Sequence, residues 1–137
     1  MTQGSAVRCA IVYDYMDTRK ATSPAQLDAL IARRSEGNRS AHFIVAACDA
    51  EYPCLIVYVR DEVAILYYMP TETQMWMSKG ELNESAEPVE FHDEAGGGRV
   101  WLQASGVLPW CVARSCILDF ARDWARPARI PWTTVDE

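Results

Sequence analysis

Residues 54–69 read CLIVYVRDEVAILYYM, and this stretch decides the fold. It holds two runs rich in aliphatic, β-branched and aromatic residues, Cys54–Arg60 and Val63–Met69, and such runs are typical of buried strands. Only Asp61 and Glu62 separate the two runs, and a connection of two residues joins antiparallel strands into a hairpin. The stretch therefore predicts the centre of an antiparallel sheet.

Further strands are predicted on both sides of this hairpin. His42–Cys48 precedes it across a short turn that contains Pro53, and Val7–Tyr13 alternates weakly, as a first strand would. Three later runs are bounded by glycine, proline or acidic residues and are also predicted as strands: Met75–Ser78, Pro88–His92 and Arg99–Gln103.

Two helices complete the prediction. Thr22-Ser23-Pro24 supplies a hydroxyl cap and a proline at the first helical position, which predicts a helix over Pro24–Arg34. In Trp110–Ala125 the apolar residues form one stripe of an amphipathic helix: Ala113, Cys116, Ile117, Phe120, Ala121 and Trp124. We therefore expect one α+β domain over residues 1–137. It has a mainly antiparallel sheet of about five to seven strands with two principal helices packed on it.

The net charge of the chain is concentrated in one segment. The formal charge of −6 lies between Pro70 and Ala95, which we call the acidic segment, and Lys79 is its only base. A localised negative charge repels phosphates and membrane surfaces and attracts basic partners. We therefore expect neither nucleic acid nor a membrane as a partner. The acids of this segment are Glu72, Glu81, Glu84, Glu87, Glu90, Asp93 and Glu94.

Composition and cysteine usage also predict a compartment. No secretory signal is visible, and the longest apolar run, Val63–Pro70, holds eight residues and is too short to span a bilayer. The cysteines form an odd number without a CxxC pair, which favours reduced, mostly buried thiols. The expected location is the cytoplasm. The five cysteines are Cys9, Cys48, Cys54, Cys111 and Cys116.

The residue types needed for catalysis or metal binding do not occur in the required patterns. A nucleophilic cysteine needs a nearby base, and only His42 and His92 are available. The closest pairs of cysteines have spacings that match no closed zinc site. The glutamates of the acidic segment lack the alternating ligands and the glycine of a calcium loop. We therefore predict no catalytic residue, no metal site and no cofactor.

Two motifs carry a resemblance to a known family. The first is a strand that ends in Tyr67-Tyr68-Met69 with Ser78-Lys79-Gly80 after it, and the second is a terminal helix followed by P-x-x-I-x-W at residues 127–132. Over residues 42–132 the chain resembles the bacterial immunity-protein family that accompanies deaminase-type polymorphic toxins, the group that is listed first among such immunity families.

This resemblance implies an inhibitor inside the bacterial cell. Such a protein binds a toxin domain that deaminates cytosine in nucleic acid, and it blocks the active site of that domain. Tyr67, Phe120 and Trp132 are core-type positions by their pattern, so no functional residue is carried over from the motifs. Tyr68 and Lys79 are further candidates for contact with the partner.

The charge pattern agrees with such an inhibitor. An enzyme that acts on DNA or RNA presents a positively charged groove, which carboxylates and a few rigid aromatic anchors can occupy. The acidic segment supplies both, with Trp76 between Met75 and Met77. We predict an immunity protein (antitoxin), not an enzyme, that binds its cognate toxin one to one. The predicted partner-binding residues are Glu72, Trp76, Glu81, Glu84 and Glu87.

Other classes of function remain open at this point. The chain can be a small enzyme or ligand-binding domain with a pocket on the sheet, or an adaptor for another basic protein. For each glutamate the competing interpretation is a solvated loop that aids solubility. For Trp76 it is a place in the core, because a half-buried strand exposes only alternate residues.

Overall fold

The computed structural model of the chain describes residues 9–14, 17–34, 40–81, 86–93 and 98–135. Strands and two α-helices make up most of these ranges. In chain order they are β1 (Ala10–Tyr13), β2 (Thr18–Ala21), α1 (Pro24–Arg34), β3 (Ser40–Ala47), β4 (Cys54–Arg60), β5 (Val63–Thr71), β6 (Gln74–Ser78), β7 (Val89–Asp93), β8 (Gly98–Leu102), β9 (Val107–Pro109), α2 (Trp110–Asp123) and β10 (Trp132–Thr134).

One large antiparallel sheet dominates the fold. It contains eight of the described strands, and its order is β10-β6-β5-β4-β3-β1-β2, with β9 paired to β5 beside β6. β7 and β8 form a separate two-stranded hairpin. The predicted α+β class, with a mainly antiparallel sheet and two helices packed on it, is confirmed.

The predicted hairpin between β4 and β5 lies at the centre of this sheet. Arg60 pairs with Val63 at its closed end, and Asp61 takes a left-handed φ of 56° in the two-residue turn. Aspartate tolerates this conformation because its short polar side chain can hydrogen-bond locally. The turn sets the register of the hairpin, so Val57 and Leu66 lie opposite each other on one face.

Both helices pack on that face, which we call the helix face. The main core lies between the sheet and the helices, where Val57 and Leu66 are fully buried together with Leu27 and Ile31 of α1 and Phe120 of α2. The apolar stripes predicted from the sequence therefore face the sheet, as expected for amphipathic helices.

The predicted cap and bounds of α1 are confirmed. The hydroxyl of Ser23 accepts a hydrogen bond from the backbone N–H of Gln26 at 3.1 Å, which satisfies one of the free donors at the helix start. The side chain of Gln26 in turn accepts a hydrogen bond from the backbone N–H of Thr22 at 2.8 Å. This reciprocal pair fixes the direction in which α1 leaves β2.

The other helix, α2, begins at the predicted residue and ends two residues early. It stops at Asp123 because Trp124 takes a left-handed φ of 52° and donates its N–H to the Phe120 carbonyl. The two helices are joined by Arg114, whose guanidinium donates to both carboxylate oxygens of Asp28 at 2.6 and 2.5 Å.

The opposite face of the sheet carries the β7–β8 hairpin, and we call it the hairpin face. Phe91 of β7 is fully buried against Ile65 of β5 and Met77 of β6, and the three residues form a second, smaller core cluster. Val100 of β8 packs against the same cluster. Because strand residues alternate in direction, the neighbours of Phe91 and Val100 point away from the sheet.

Three short strands are absent from the sequence prediction. β2 reads TRKA and buries only Ala21, so this edge strand shows no apolar alternation. β9 and β10 hold three residues each, which is too short for a periodic pattern to emerge. Their pairing with β5 and β6 is decided by the rest of the sheet and not by their own residues.

The expectation of reduced cysteines is wrong for two of the five. Cys9 and Cys48 form a disulfide, with their Cα atoms 5.4 Å apart. The antiparallel pairing of Ala10 with Ala47 brings the two cysteines side by side, although 39 positions separate them along the chain. That separation leaves no local signal in the sequence. The remaining cysteines are free, with Cys54 and Cys116 buried and Cys111 exposed.

Candidate protein-binding surface

The structure places the predicted acidic contacts in two separate regions. Glu72 is exposed in the turn before β6, whereas Glu81 is exposed beyond the other end of that strand. Glu87 is exposed just before β7, and Glu84 lies outside the described residues. The acidic segment is continuous along the chain, but its described carboxylates do not form one patch.

Two of the predicted carboxylates, those of Glu81 and Glu87, come close to the same turn. The N–H of Gly80 donates to the carbonyl of Ser105 at 2.6 Å, and Val89 pairs with Leu102. Residues 81 and 87 therefore flank the turn at residues 103–105 from two sides. Across the described ranges neither carboxylate has an ion-pair partner.

An exposed tryptophan lies on the β7–β8 hairpin, opposite Glu90. Trp101 of β8 pairs with Glu90 of β7, and both side chains point away from the sheet. Trp101 is 59% exposed, which is the largest value for a large apolar residue in the described part of the chain. Tryptophan is enriched at interface hot spots. We call Trp101, Glu81, Glu87 and Glu90 the hairpin surface.

The charge of Glu90 is partly balanced within the hairpin. Its carboxylate lies 3.4 Å from the guanidinium of Arg99 and 3.6 Å from the imidazole of His92. Its backbone carbonyl accepts a hydrogen bond from Arg60 at 2.9 Å, which ties the hairpin to β4. The unbalanced negative charge of the hairpin surface therefore comes from Glu81 and Glu87.

Trp76, the predicted aromatic anchor, lies on the opposite side of the sheet. It is half-buried on the helix face, pairs with Tyr68 and packs against the main core. The guanidinium of Arg126 lies 4.3 Å from the ring centroid, a cation–π contact. Contact between Trp76 and a partner stays a prediction, but an intramolecular arginine already covers one side of the ring.

The Ser78-Lys79-Gly80 motif forms a structural junction. Ser78 is fully buried, and its hydroxyl donates to the Gly106 carbonyl at 2.6 Å and accepts from the Leu66 N–H at 3.1 Å. Leu66 lies on β5 between the residues that pair with β6 and those that pair with β9, so the hydroxyl fills a gap in the ladder. Gly80 must be glycine, because a Cβ there would lie 1.9 Å from the Val107 carbonyl oxygen.

The aromatic motif residues are mainly core residues. Tyr68 is 8% exposed and meets Phe120 edge-on with ring centroids 6.1 Å apart, so this candidate for partner contact is instead buried. Phe120 is fully buried and Trp132 packs against the same core. Tyr67 is half-buried on the hairpin face, where burial and then Tyr58 raise its pKa to about 12. Only Lys79 of the two candidates is exposed.

The free buried thiols are poor nucleophiles. Burial raises the pKa of Cys54 and of Cys116 to about 11, with smaller contributions from nearby acids. Both thiols therefore stay protonated at neutral pH.

Within the described ranges no group of three or more His, Cys, Asp or Glu side chains is arranged to hold a metal ion. The described helices include none with the length and apolar character needed to cross a bilayer.

Sequence reasoning did not single out Trp101, although the strand pattern contained a signal. In the predicted strand Arg99–Gln103, alternation places Arg99, Trp101 and Gln103 on one face and Val100 and Leu102 on the other. A tryptophan between two polar residues on the same face is expected to be exposed.

No protein-family model matches the chain, and no curated protein matches it either.

Proposed function

We propose that the chain is an immunity protein that binds a cognate deaminase-type toxin domain and occludes its basic active-site cleft. The observation that carries this proposal is the exposure of Trp101 on the β7–β8 hairpin, together with the exposed glutamates Glu81 and Glu87, which have no ion-pair partner within the described ranges. The resemblance of residues 42–132 to the immunity family supplies the class of partner. Trp101 replaces Trp76 as the proposed anchor, because Trp76 packs against the core of its own chain.

The chemistry of the hairpin surface suits a partner that binds nucleic acid. A cleft that holds DNA or RNA is lined by lysine and arginine, and these side chains bind carboxylates in place of phosphates. The aromatic ring adds apolar contact area with little loss of conformational entropy. Opposite charges also accelerate encounter, with association rate constants of up to about 10⁸ M⁻¹s⁻¹ at low salt.

We place this encounter in the cytoplasm, where the nucleic acid that the toxin attacks is found. Cytoplasmic reductants keep most thiols reduced, so the Cys9–Cys48 bond is expected to open there. The proposal therefore requires that the reduced chain stay folded and bind the toxin. Alkylation of the protein in growing cells, followed by mass spectrometry, measures the thiol state. Loss of binding on reduction would contradict the cytoplasmic location.

The direct test is co-expression with the deaminase-like toxin domain encoded beside the gene. We expect the chain to rescue growth and to co-purify with the toxin as a one-to-one complex. A toxin domain that kills cells equally with and without the chain, and that does not bind it in solution, would overturn the proposal.

The role of the tryptophan is tested by Trp101→Ala. Removal of a hot-spot tryptophan costs about 2 kcal/mol or more, so the affinity for the toxin domain should fall about 30-fold. Val135→Ala is the matched control, because Val135 is the other exposed large apolar residue of the described chain, at 37%. The affinity of the Val135→Ala variant for the toxin domain should not change. Equal affinities for both variants would remove Trp101 from the interface.

The role of charge is tested by reversal of Glu81, Glu84 and Glu87 to lysine. Stopped-flow mixing with the toxin domain should show slower association, and the effect should shrink as salt is raised. The dissociation rate should change less, because steering acts on the approach of the partners. An association rate equal to that of the unmodified protein would exclude a steering role for these carboxylates.

A further inference from the structure

The two edges of the large sheet differ in how they meet solvent. The order of strands runs from β10 on one side to β2 on the other. On β2 the residues Thr18, Arg19 and Lys20 are all exposed, and charged side chains on an edge strand discourage pairing with another chain. The stretch around β10, residues 131–135, reads PWTTV and holds no charged residue. The β10 edge therefore lacks the protection that β2 has.

The hydrogen bonds of β10 show which of its backbone groups point outward. The Val135 N–H donates to the Met75 carbonyl at 3.0 Å, towards β6. Because such groups alternate in direction along an antiparallel strand, the N–H and C=O of Trp132 and Thr134 point away from β6. Within the described ranges these backbone groups of Trp132 and Thr134 have no hydrogen-bond partner. They are free to pair with one more strand.

The edge is also open to solvent. Thr134 and Val135 are exposed, and no residue of β10 is fully buried. Val135 is one of the two exposed large apolar residues of the described chain, and the hairpin surface does not include it. An added strand would cover its side chain.

A second copy of the chain fits this edge by self-complementarity. Two antiparallel β10 strands can pair about a two-fold axis that passes between the two copies of Thr133. Trp132 of each copy then lies opposite Thr134 of the other, so their outward N–H and C=O groups all find partners. Pro131 of each copy lies opposite Val135 of the other, and both residues are exposed in the single chain. The same register therefore satisfies the backbone and covers apolar side chains.

The charges at the two ends of β6 favour this antiparallel arrangement. Glu72 is exposed in the turn before β6, Lys79 is exposed directly after it, and neither has an ion-pair partner within the described ranges. The two-fold axis places the Lys79 end of one copy beside the Glu72 end of the other. The two β6 strands then lie three strand spacings apart, about 14 Å, a distance over which charges attract at low salt. An edge that carries both signs of charge suits a second copy better than a uniformly basic toxin cleft.

We propose that the chain forms a two-fold dimer through β10, in which the two large sheets join into one continuous sheet. The inference does not rest on the proposed function. Trp101 lies on β8, outside the large sheet, so each copy keeps its own hairpin surface and the dimer still binds one toxin domain per chain. The shared edge is short, and small interfaces give weak, reversible association.

The first test is sedimentation of the free chain over about 1–300 μM, a range in which weak dimers dissociate. We expect a monomer at the low end and a dimer at the high end. Thr134→Pro removes an outward N–H but no bond to β6, and proline is tolerated on edge strands. It should raise the dissociation constant of the dimer about tenfold or more, with the thermal midpoint of the dilute chain within a few degrees of the original.

Thr18→Pro is the matched control at the other edge. In the β1–β2 hairpin the Asp14 N–H donates to the Asp17 carbonyl, so by alternation the Thr18 N–H also points outward. This variant should dimerise as the original does. Equal weakening by both proline variants would overturn the assignment of the interface to β10.

Amide hydrogen exchange locates the interface directly. The N–H groups of Trp132 and Thr134 should exchange more slowly as the concentration rises, whereas that of Thr18 should not change. A chain that stays monomeric at every concentration would overturn the inference. So would a dimer in which the Trp132 and Thr134 amides exchange as fast as in the monomer.

A charge swap tests the antiparallel register. Lys79→Glu alone, or Glu72→Lys alone, should weaken the dimer about fivefold at low salt, because each creates like charges at both ends of the interface. The two substitutions together restore opposite charges and should recover the original affinity. A double variant that dimerises no better than either single variant would contradict this register.

The outcomes separate the inference from the proposed function. If the toxin domain binds a chain that is monomeric at every concentration, only the dimer inference falls. If the dimer forms and the toxin domain does not bind, only the proposed function falls. Protection of the Trp132 and Thr134 amides by added toxin domain in the dilute chain, without any dimer at high concentration, would assign the β10 edge to the toxin and overturn the inference.

Discussion

Substitution of the buried Ser78 by alanine should lower the free energy of unfolding more than any substitution at the surface of the chain. The hydroxyl bridges the Leu66 N–H and the Gly106 carbonyl at 3.1 and 2.6 Å in a fully buried place. Ser78→Ala would leave both groups without a partner, and each unpaired buried group costs about 1–3 kcal/mol. The expected loss in the free energy of unfolding is therefore about 2–6 kcal/mol, a large share of the total stability of a small domain.

Urea unfolding measures this loss directly. For a slope of about 2 kcal/mol per M, a loss of 3 kcal/mol lowers the midpoint by about 1.5 M. Ser115→Ala is the matched control, since the Ser115 hydroxyl donates only to the Cys111 carbonyl at 3.2 Å on the exposed side of α2. Alanine favours helix, so that variant should stay within about 0.5 kcal/mol of the original. If both variants lost an equally small amount of unfolding free energy, the hydrogen bonds of the Ser78 hydroxyl would not hold the strands together.

Three further results are expected. Cys48→Ser opens the loop of 39 residues closed by the disulfide and should cost about 4 kcal/mol in urea unfolding without reductant, whereas an unchanged midpoint would deny the bond a stabilising role. A double-mutant cycle on Asp28 and Arg114 should give a coupling of about 0.5–1 kcal/mol at pH 7. Because the hydrogen bond from Arg114 lowers the pKa of Asp28, the coupling is present above about pH 4 and should weaken as pH falls through the lowered pKa; a coupling that acid does not weaken would contradict the ion pair. Tyr67 has its pKa raised from 10.0 to about 12, so its contribution to stability should be lost as pH rises between these values. Tyr67→Phe should remove that alkaline loss, and an identical alkaline profile would show that another group causes it.

The parts of the fold that the sequence predicts are those with local causes. The bounds of α1 follow from its serine cap and proline, and those of β4 follow from its apolar run and the two-residue turn after it. The short strands β2 and β9 form because a neighbouring strand offers free hydrogen-bonding groups. Such pairing depends on residues far away in the chain, and the same holds for the disulfide between Cys9 and Cys48.

The candidate site is predictable only in part, for a similar reason. The sequence correctly places Glu72, Glu81 and Glu87 at exposed positions, because turns next to strand ends are solvated. It does not show that β6 separates Glu72 from the other two. A strand of five residues is about 17 Å long, so carboxylates close in sequence lie on different parts of the surface. Trp101 comes to lie opposite Glu90 only through the pairing of β7 with β8.

The residues that carry the family resemblance and the residues proposed to bind the toxin are different, and this decides how a loss of protection should be interpreted. Ser78, Gly80 and Phe120 hold strands and helix together, so their substitution would abolish protection by unfolding the chain. Trp101 and Glu87 are exposed, so their substitution should weaken protection while the chain stays folded. A survival assay alone cannot separate the two causes, whereas survival combined with an unfolding curve does. Buried motif residues therefore report on the fold, and exposed residues, including Lys79 of the motif, report on the partner.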